Sequence, residues 1–207
     1  MLAIVDVQDG RVQTYHTGGA AVRVLVACEF SGVVREAFRR RGHDAWSCDL
    51  APAIDDSPYH LQGDVMKAID GRWDLMIAHP PCTHLAVSGA RWWSIRPLEQ
   101  QLAAGFFRAL MDADVPKIAV ENPIGAMSRL YRKPDQIIQP WQFGHGETKA
   151  TCLWLKNLPL LVPTNIVSGR EPRIHHESPG MKNGLTRQER RSITLLGIAD
   201  AFAEQWG

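Results

Sequence analysis

Short apolar segments alternate with amphipathic ones along most of this chain. Residues 22–27 and 117–120 are apolar and rich in β-branched side chains, which is typical of buried parallel strands. Similar short strands are predicted at residues 45–48, 74–78 and 151–155. Because helical segments separate these strands, the pattern predicts an α/β fold with a largely parallel central sheet and helices on both faces.

The helical segments carry apolar residues at steps of three and four. One helix is predicted over residues 33–41 and ends at Gly42, and a short helical piece is predicted near residues 65–70. The strongest helix begins at Pro97, and its apolar stripe consists of Leu98, Leu102, Phe106, Ala109 and Leu110. A closing helix is predicted over roughly residues 192–206, with these side chains mainly inward: Ile193, Leu196, Ile198 and Phe202.

The two ends of the chain differ from this alternating pattern. Residues 1–21 are predicted to form an N-terminal extension or a hairpin, with strands at 4–7 and 11–15 around Asp9-Gly10. Residues 22–207 are predicted to form one domain. Within it, residues 163–190 are poor in apolar side chains and carry an excess of positive charge, which suits a short segment for substrate recognition.

Composition narrows the class of protein. The 207 residues suffice for one full core, and 23 Lys+Arg against 22 Asp+Glu neither require nor exclude a nucleic-acid partner. No apolar stretch approaches the ~20 residues of a membrane-spanning helix, and the N-terminus lacks a signal pattern. We therefore expect a cytoplasmic protein without membrane contacts. The four cysteines are widely spaced, which argues against a disulfide framework or a four-cysteine zinc site.

Reactive side chains follow several of the predicted strands. Asp49, Cys82 and Glu121 each lie just past a strand end, and the carboxyl ends of parallel strands meet at one edge of a sheet. Cys82 lies on a proline-stiffened turn, His79-Pro80-Pro81-Cys82-Thr83-His84. Phe30-Ser31-Gly32 makes a tight turn into a helix. This turn suits a nucleoside-containing cofactor whose ribose hydroxyls would donate hydrogen bonds to Asp49.

Taken in order, these motifs resemble those of the cytosine-C5 DNA methyltransferase family. Pro80-Pro81-Cys82 is similar to the family's proline–cysteine nucleophile motif, and Glu121-Asn122-Pro123 is similar to its glutamate–asparagine motif. The separation between the two motifs is also similar. Glu147-Thr148-Lys149-Ala150-Thr151 takes the place of the glutamine/arginine motif, with Lys149 where an arginine approaches the target base.

The resemblance implies a Rossmann-like methyltransferase fold, S-adenosylmethionine as cofactor, and DNA (cytosine-5-)-methyltransferase activity. Cys82 would be the nucleophile that adds to carbon 6, and Glu121 would hydrogen-bond ring N3 and the exocyclic amine. Lys149 would approach the same base. The expected cofactor-binding residues are Phe30, Ser31, Gly32, Asp49, Asp64 and Pro81.

DNA is the expected partner, with the target base flipped out of the duplex. Trp92 and Trp93, with Arg91 before them, could brace the vacated base stack, or the two tryptophans could anchor their loop in the core. Arg170 and Arg173 of the basic segment are predicted to contact phosphates. Because family members usually have a larger recognition region, specificity is expected to be short, relaxed or supplied by a partner protein.

Other interpretations of Cys82 remain open. It could be a buried thiol on a proline turn, or a metal ligand with His79 and His84, although the prolines between them and the absence of a second close pair argue against a metal site. The same fold could act on a free pyrimidine nucleotide or on RNA. It could also be a catalytically inactive protein that binds the cofactor or DNA.

Overall fold

The computed structural model of the protein describes residues 20–172, 176 and 178–207, together with the backbone of residues 3–8 and 11–16. The two N-terminal strands, β1 (Ala3–Gln8) and β2 (Arg11–His16), pair antiparallel. The predicted turn at Asp9-Gly10 lies outside the described residues.

The main sheet has seven strands within the described part of the chain. They are β3 (Arg23–Ala27), β4 (Asp44–Asp49), β5 (His60–Gln62), β6 (Leu75–Ala78), β7 (Lys117–Pro123), β8 (Gln136–Ile138) and β9 (Thr151–Lys156). Their order is β5-β4-β3-β6-β7-β9-β8, and only the pairings of β9, with β7 and with β8, are antiparallel. The strand order reverses between β3 and β6, which is the point where open α/β sheets bind ligands. The predicted Rossmann-like α/β fold is confirmed.

Helices cover both faces of this sheet. They are α1 (Val33–Arg39), α2 (Val65–Ala68), α3 (Pro97–Met111), α4 (Met127–Leu130), α5 (Arg187–Ser192), α6 (Leu196–Trp206) and two 3-10 helices, Val87–Trp92 and Pro140–Gln142. No helix in the described ranges is long and apolar enough to cross a membrane.

The buried side chains of β3 alternate between two cores. Leu25 faces the cluster that contains Phe107 of α3, whereas Val24 faces the cluster that contains Phe38 of α1 and Phe202 of α6. This alternation follows from the two-residue period of a strand. Both faces of β3 are therefore covered by helices, as the uninterrupted apolar sequence of the strand predicts.

The predicted apolar stripe of α3 is wrong in its first half. Leu98 and Leu102 are 63% and 66% exposed, whereas Ala104 and Phe107 are buried. Helical periodicity identified the helix correctly. However, only its second half packs against the sheet, and sequence spacing does not contain that information.

The closing helix was predicted to be continuous over roughly residues 192–206, and this prediction is also wrong. Ile193 has extended backbone angles, so α5 ends before it and α6 begins at Leu196. Ile198 and Phe202 are buried as predicted, but Leu196 is 58% exposed. The start of α6 is fixed from outside the helix, because the backbone N–H of Gly197 donates a hydrogen bond of 3.0 Å to Nε2 of His145.

Candidate active site

Glu121 belongs to β7 and lies one residue beyond the point where β7 stops pairing with β6, the strand that precedes Cys82. The pairing of β6 with β7 ends at Val120, and Glu121 continues β7 by pairing with Leu153 of β9. Its side chain therefore stands at the carboxyl edge of the sheet, next to the loop that follows β6. Asn122 ties the two motifs together, because its Nδ2 donates a hydrogen bond of 3.0 Å to the backbone carbonyl of Pro80.

Backbone contacts join the same two loops further along. The N–H of Val87 donates to the carbonyl of Ile124 at 3.0 Å, and the N–H of Ala126 donates to the carbonyl of Leu85 at 2.8 Å. A Cβ at Gly125 would overlap the carbonyl of Leu85, so only glycine permits this close approach. The segment that carries Cys82 is thus held in register with the segment that carries Glu121.

Glu121 is an ionised carboxylate in this arrangement. Burial raises the pKa of Glu121, but the hydrogen bond and charge of His79, together with the charge of Lys149, outweigh burial and hold the pKa below its ordinary value. His79 Nδ1 lies 3.1 Å from Oε2 of Glu121, so the ring N–H donates to the carboxylate. The His79 and Glu121 side chains are only 9% and 20% exposed.

Lys149 lies between Glu121 and the C-terminal segment. Its Nζ donates a hydrogen bond of 2.8 Å to the backbone carbonyl of Arg191, at the end of α5. Helix α5 also approaches the Cys82 loop, where Nε2 of Gln188 lies 3.4 Å from Oγ1 of Thr83. The C-terminal segment therefore covers the edge of the sheet at which Cys82 and Glu121 stand.

The Cys82 thiol is half-buried and is surrounded by charged groups. Burial and the charge of Glu121 raise the pKa of Cys82, and the charges of Lys149 and Arg191 only partly oppose them. The structure thus brings Cys82, Glu121 and Lys149 within electrostatic reach of one another. The positive charges that act on the sulfur include those of Lys149 and Arg191, which are remote in sequence.

We expect this environment to set the pH dependence of Cys82 alkylation. Because the thiolate is the reactive form, iodoacetamide should modify Cys82 slowly at neutral pH and about tenfold faster for each pH unit of increase below the raised pKa. Peptide mapping by mass spectrometry would measure the rate. Cys28, Cys48 and Cys152 should react later still, because burial above all raises their pKa values to about 12, 11 and 11. Fast labelling of Cys82 at neutral pH would contradict this description.

A small pocket adjoins Glu121. It measures about 20 Å³ and lies between His79, Glu121 and Lys149 on one side and residues 192–198 on the other. This is room for a water molecule, not for a pyrimidine ring.

The predicted cofactor residues lie at the neighbouring edge of β3 and β4. The pKa of Cys28 is raised by burial first and then by the charges of Asp49, Cys48 and Asp64, so these groups lie within electrostatic reach of its thiol. Asp49 Oδ1 accepts a hydrogen bond of 2.9 Å from the N–H of Ala51, and Asp64 Oδ1 accepts one of 3.0 Å from the N–H of Met66. Both carboxylates therefore also anchor local backbone.

The turn at Phe30-Ser31-Gly32 is organised by a buried carboxyl group, that of Glu29. Its oxygens accept hydrogen bonds from the N–H groups of Val34 at 2.7 Å and Arg35 at 3.2 Å, and from Oγ of Ser31 at 3.2 Å. Gly32 has a φ of 71°, a conformation that glycine adopts without strain. Phe30, the first residue of this turn, is half-buried, and Pro81 on the Cys82 loop is exposed.

The predicted DNA-contacting residues differ in exposure and in their local contacts. Trp92 is 45% exposed, with the guanidinium of Arg91 5.0 Å from its ring centroid, whereas Trp93 is mostly buried. The guanidinium of Arg170 lies 3.8 Å from the ring centroid of Trp141 and donates to the carbonyls of residues 167 and 169. Arg173 lies outside the described residues.

Sequence reasoning missed several residues of this site. His79 was considered only as a neighbour of the thiol or a metal ligand, yet it binds Glu121. Glu29 and Arg191 carried no recognisable signal, because their partners are backbone groups or side chains remote in sequence. Asn122 is part of the predicted glutamate–asparagine motif, but its hydrogen bond to the carbonyl of Pro80 was not predicted. Among the described residues no cluster of three or more potential metal ligands occurs.

Comparisons with known proteins give a structural neighbour. The chain is similar to the methyltransferase EhMeth of Entamoeba histolytica, with 12% sequence identity and a TM-score of 0.48. The superposition covers 79% of this chain and 62% of that protein, so the chain spans less than two thirds of its length. No protein-family model matches the chain, and no curated protein sequence matches it significantly.

Proposed function

We propose that this protein methylates carbon 5 of cytosine in DNA, with S-adenosylmethionine as the methyl donor. The observation that carries the proposal is the arrangement of Cys82, Glu121 and Lys149 at the carboxyl edge of the sheet. A thiol beside a carboxylate and an ammonium group is the set that thiol addition to a pyrimidine requires. A buried structural thiol would need neither charged group.

The residues at the edge of β3 and β4 fit the proposed cofactor. Asp49 and Asp64 would offer carboxylate oxygens to ribose hydroxyls and to the adenine amine, and the charges of both act on Cys28 at the end of β3. Phe30, which is half-buried on the loop after β3, would offer an apolar surface. The cofactor, when bound, supplies an electrophilic methyl group on a sulfonium sulfur.

The chain's own residues would then act in sequence. Cys82 loses its proton to solvent, and its Sγ adds to carbon 6 of the base, which makes carbon 5 nucleophilic. Glu121 takes up one proton from solvent, donates it in a hydrogen bond to ring N3, accepts a hydrogen bond from the exocyclic amine, and so stabilises the ring as it gains electrons. After carbon 5 is methylated, it loses its proton to solvent, the double bond re-forms and the thiolate of Cys82 leaves carbon 6.

The proposed substrate is a cytosine flipped out of DNA, since carbon 6 is inaccessible inside a duplex. The base would enter beside Glu121, at the pocket that Lys149 and Ser192 also line. Arg91 and the exposed Trp92 lie on the segment that follows Cys82, where an arginine and an aromatic ring suit a phosphate and an unstacked base. A partner protein that adds sequence recognition is compatible with the short basic segment, residues 163–190.

The test uses DNA in which cytosine is replaced by 5-fluorocytosine. Fluorine at carbon 5 cannot leave as a proton does, so the protein should accumulate as a covalent adduct with DNA in the presence of the cofactor. Gel electrophoresis detects the adduct, and mass spectrometry should locate it on Cys82. Cys82→Ala should form none.

Parallel reactions with RNA and with free nucleotide discriminate among substrates. An adduct that survives Cys82→Ala would overturn the mechanism, and an adduct with RNA or free nucleotide alone would overturn the choice of DNA. If no adduct forms although calorimetry detects cofactor binding, the protein is not a cytosine methyltransferase.

A further inference from the structure

A buried guanidinium, that of Arg35 in α1, is bound by polar groups on two other elements. The Arg35 side chain is 0% exposed. It forms an ion pair with Oδ2 of Asp55, on the loop between β4 and β5, and its Nη1 donates a hydrogen bond of 2.7 Å to Oγ of Ser47 in β4. Its Nε lies 2.9 Å from Oε1 of Glu36 within α1. Burial of a positive charge is costly unless such partners surround it.

The polar network continues from Ser47 to the same loop. Oγ of Ser47 lies 2.9 Å from Nδ1 of His60, the first residue of β5, and Nε2 of His60 lies 3.0 Å from the backbone carbonyl of Ala51. Because a carbonyl oxygen can only accept, Nε2 is the donor in this contact. Arg35 therefore fixes the loop directly at Asp55 and, through side chains of β4 and β5, also at Ala51.

This loop contacts two of the expected cofactor-binding residues. The N–H of Ala51 donates a hydrogen bond of 2.9 Å to Oδ1 of Asp49. The N–H of Ile54 donates one of 3.1 Å to the carbonyl of Phe30. The loop therefore joins the end of β4 to the turn that follows β3, which are two places where the proposed cofactor would bind.

The ion pair itself adjoins the same turn. A Cβ at Gly32 would overlap the guanidinium of Arg35 and would lie 2.9 Å from Oδ2 of Asp55. The backbone N–H of Arg35 also donates a hydrogen bond of 3.2 Å to Oε2 of Glu29, the buried carboxyl group that organises the turn. An apolar side chain could fill the core at this place without a charged partner. An arginine that contacts the loop, β4 and the turn instead fixes their relative positions.

We infer that Arg35 is a positioning residue for the cofactor, because it fixes the turn that carries Phe30 relative to the strand end that carries Asp49. The inference rests on the proposed function. A ligand that contacts both places binds more tightly when they are already ordered, since ordering the loop then costs no binding free energy. Because its side chain is fully buried, Arg35 acts through the loop and not by contact with the ligand.

The test changes the exposed partner of Arg35, since replacement of the buried arginine would disturb the core. Asp55→Asn removes the charge of the side chain and keeps its size. Calorimetry with S-adenosylhomocysteine, the demethylated form of the cofactor, should find the affinity lowered about tenfold. Asp55→Glu keeps a carboxylate for the guanidinium, so its affinity should stay within about threefold of the wild-type value.

Asp56→Asn is the matched control. Asp56 is the next residue, is also exposed and has a φ of 50°, a conformation that asparagine adopts as well. The variant makes the same change in net charge one residue away from the ion pair. Its affinity for S-adenosylhomocysteine should therefore equal that of the wild-type protein.

Steady-state kinetics separate cofactor binding from the other steps. In Asp55→Asn, the KM for S-adenosylmethionine should rise about tenfold, while the KM for DNA and kcat at saturating cofactor should change by less than about threefold. A general loss of structure would instead affect all three parameters. Such a loss, without a selective rise in the KM for S-adenosylmethionine, would overturn the inference.

Hydrogen exchange measures the order of the loop without any ligand. The amide of Ile54 should exchange about tenfold faster in Asp55→Asn, whereas the amides of β6 should keep their wild-type rates. Equally accelerated exchange in both places would mean that the ion pair only stabilises the fold, and the inference would be wrong.

The calorimetric results distinguish the inference from the proposed function. If the wild-type protein binds S-adenosylhomocysteine and Asp55→Asn binds it equally well, Arg35 does not position the cofactor. The same conclusion holds if Asp55→Asn and Asp56→Asn lose affinity equally. Failure of the wild-type protein to bind S-adenosylhomocysteine would instead overturn the proposed function, and the inference with it.

Discussion

If the protein has the proposed function, Glu121→Gln is expected to lower methyl transfer by a factor of about 10² to 10³ and, at the same time, to make Cys82 more reactive towards iodoacetamide. The glutamine amide can still pair with N3 and the exocyclic amine of cytosine, so the KM for DNA should change little. It cannot supply a proton or stabilise the charge that develops in the ring. The loss should therefore appear in kcat.

The gain in alkylation has a separate cause. Burial is the largest influence that raises the pKa of Cys82, and the charge of Glu121 is the second largest. Removing that charge should increase the thiolate fraction and accelerate alkylation about threefold to tenfold at pH ~7.5. Glu99→Gln, which removes a charge from the exposed first turn of α3, is the control and should leave the alkylation rate unchanged. If Glu121→Gln loses activity and thiol reactivity together, Glu121 does not act on Cys82 in this way.

Gly197→Ala adds one methyl group to α6, at the position where we expect an added methyl group to destabilise the protein most. A Cβ at Gly197 would overlap the carbonyl of Phe143 and crowd Nε2 of His145. Because Phe143 is buried, the contact cannot be relieved by a surface rearrangement. We expect a loss of about 3 kcal/mol in the free energy of unfolding, measured by urea denaturation.

Gly105→Ala provides the matched control. Gly105 lies in the middle of α3, and a Cβ there would meet no atom within 4 Å. The same substitution should therefore stabilise the protein by about 0.5–1 kcal/mol, as expected for glycine replaced in a helix interior. Equal effects at the two positions would mean that the fit of α6 against residues 143–145 does not limit stability.

Elements defined by their own apolar pattern could be predicted from the sequence, whereas elements defined by distant contacts could not. The strands at the centre of the sheet are buried on both faces, so their sequences are apolar throughout and were recognised. β5 and β8 were missed because each has only three residues and contains polar side chains, including Gln62 and Gln136. The break between α5 and α6 was missed because a distant imidazole, that of His145, fixes the start of α6.

The candidate site likewise has residues that the sequence indicated and contacts that it did not. Cys82, Glu121 and Lys149 were found through short motifs at strand ends, and the structure brings them together. Their chemical roles stay predictions. The hydrogen bond from His79 to Glu121 joins residues 42 positions apart, and the charge of Arg191 reaches Cys82 through the fold of the C-terminal segment. Neither contact leaves a periodic or local pattern in the sequence.

Glu29 has a consequence for the kind of cofactor that this Rossmann-like fold can accept. In many proteins of this architecture, the N–H groups at the start of the first helix bind a pyrophosphate. Here the buried carboxyl of Glu29 already accepts the N–H groups of Val34 and Arg35. A dinucleotide or a nucleoside triphosphate would meet carboxyl oxygens where it needs donors. At Val34 and Arg35, the start of α1 thus offers no free N–H donor to a phosphate.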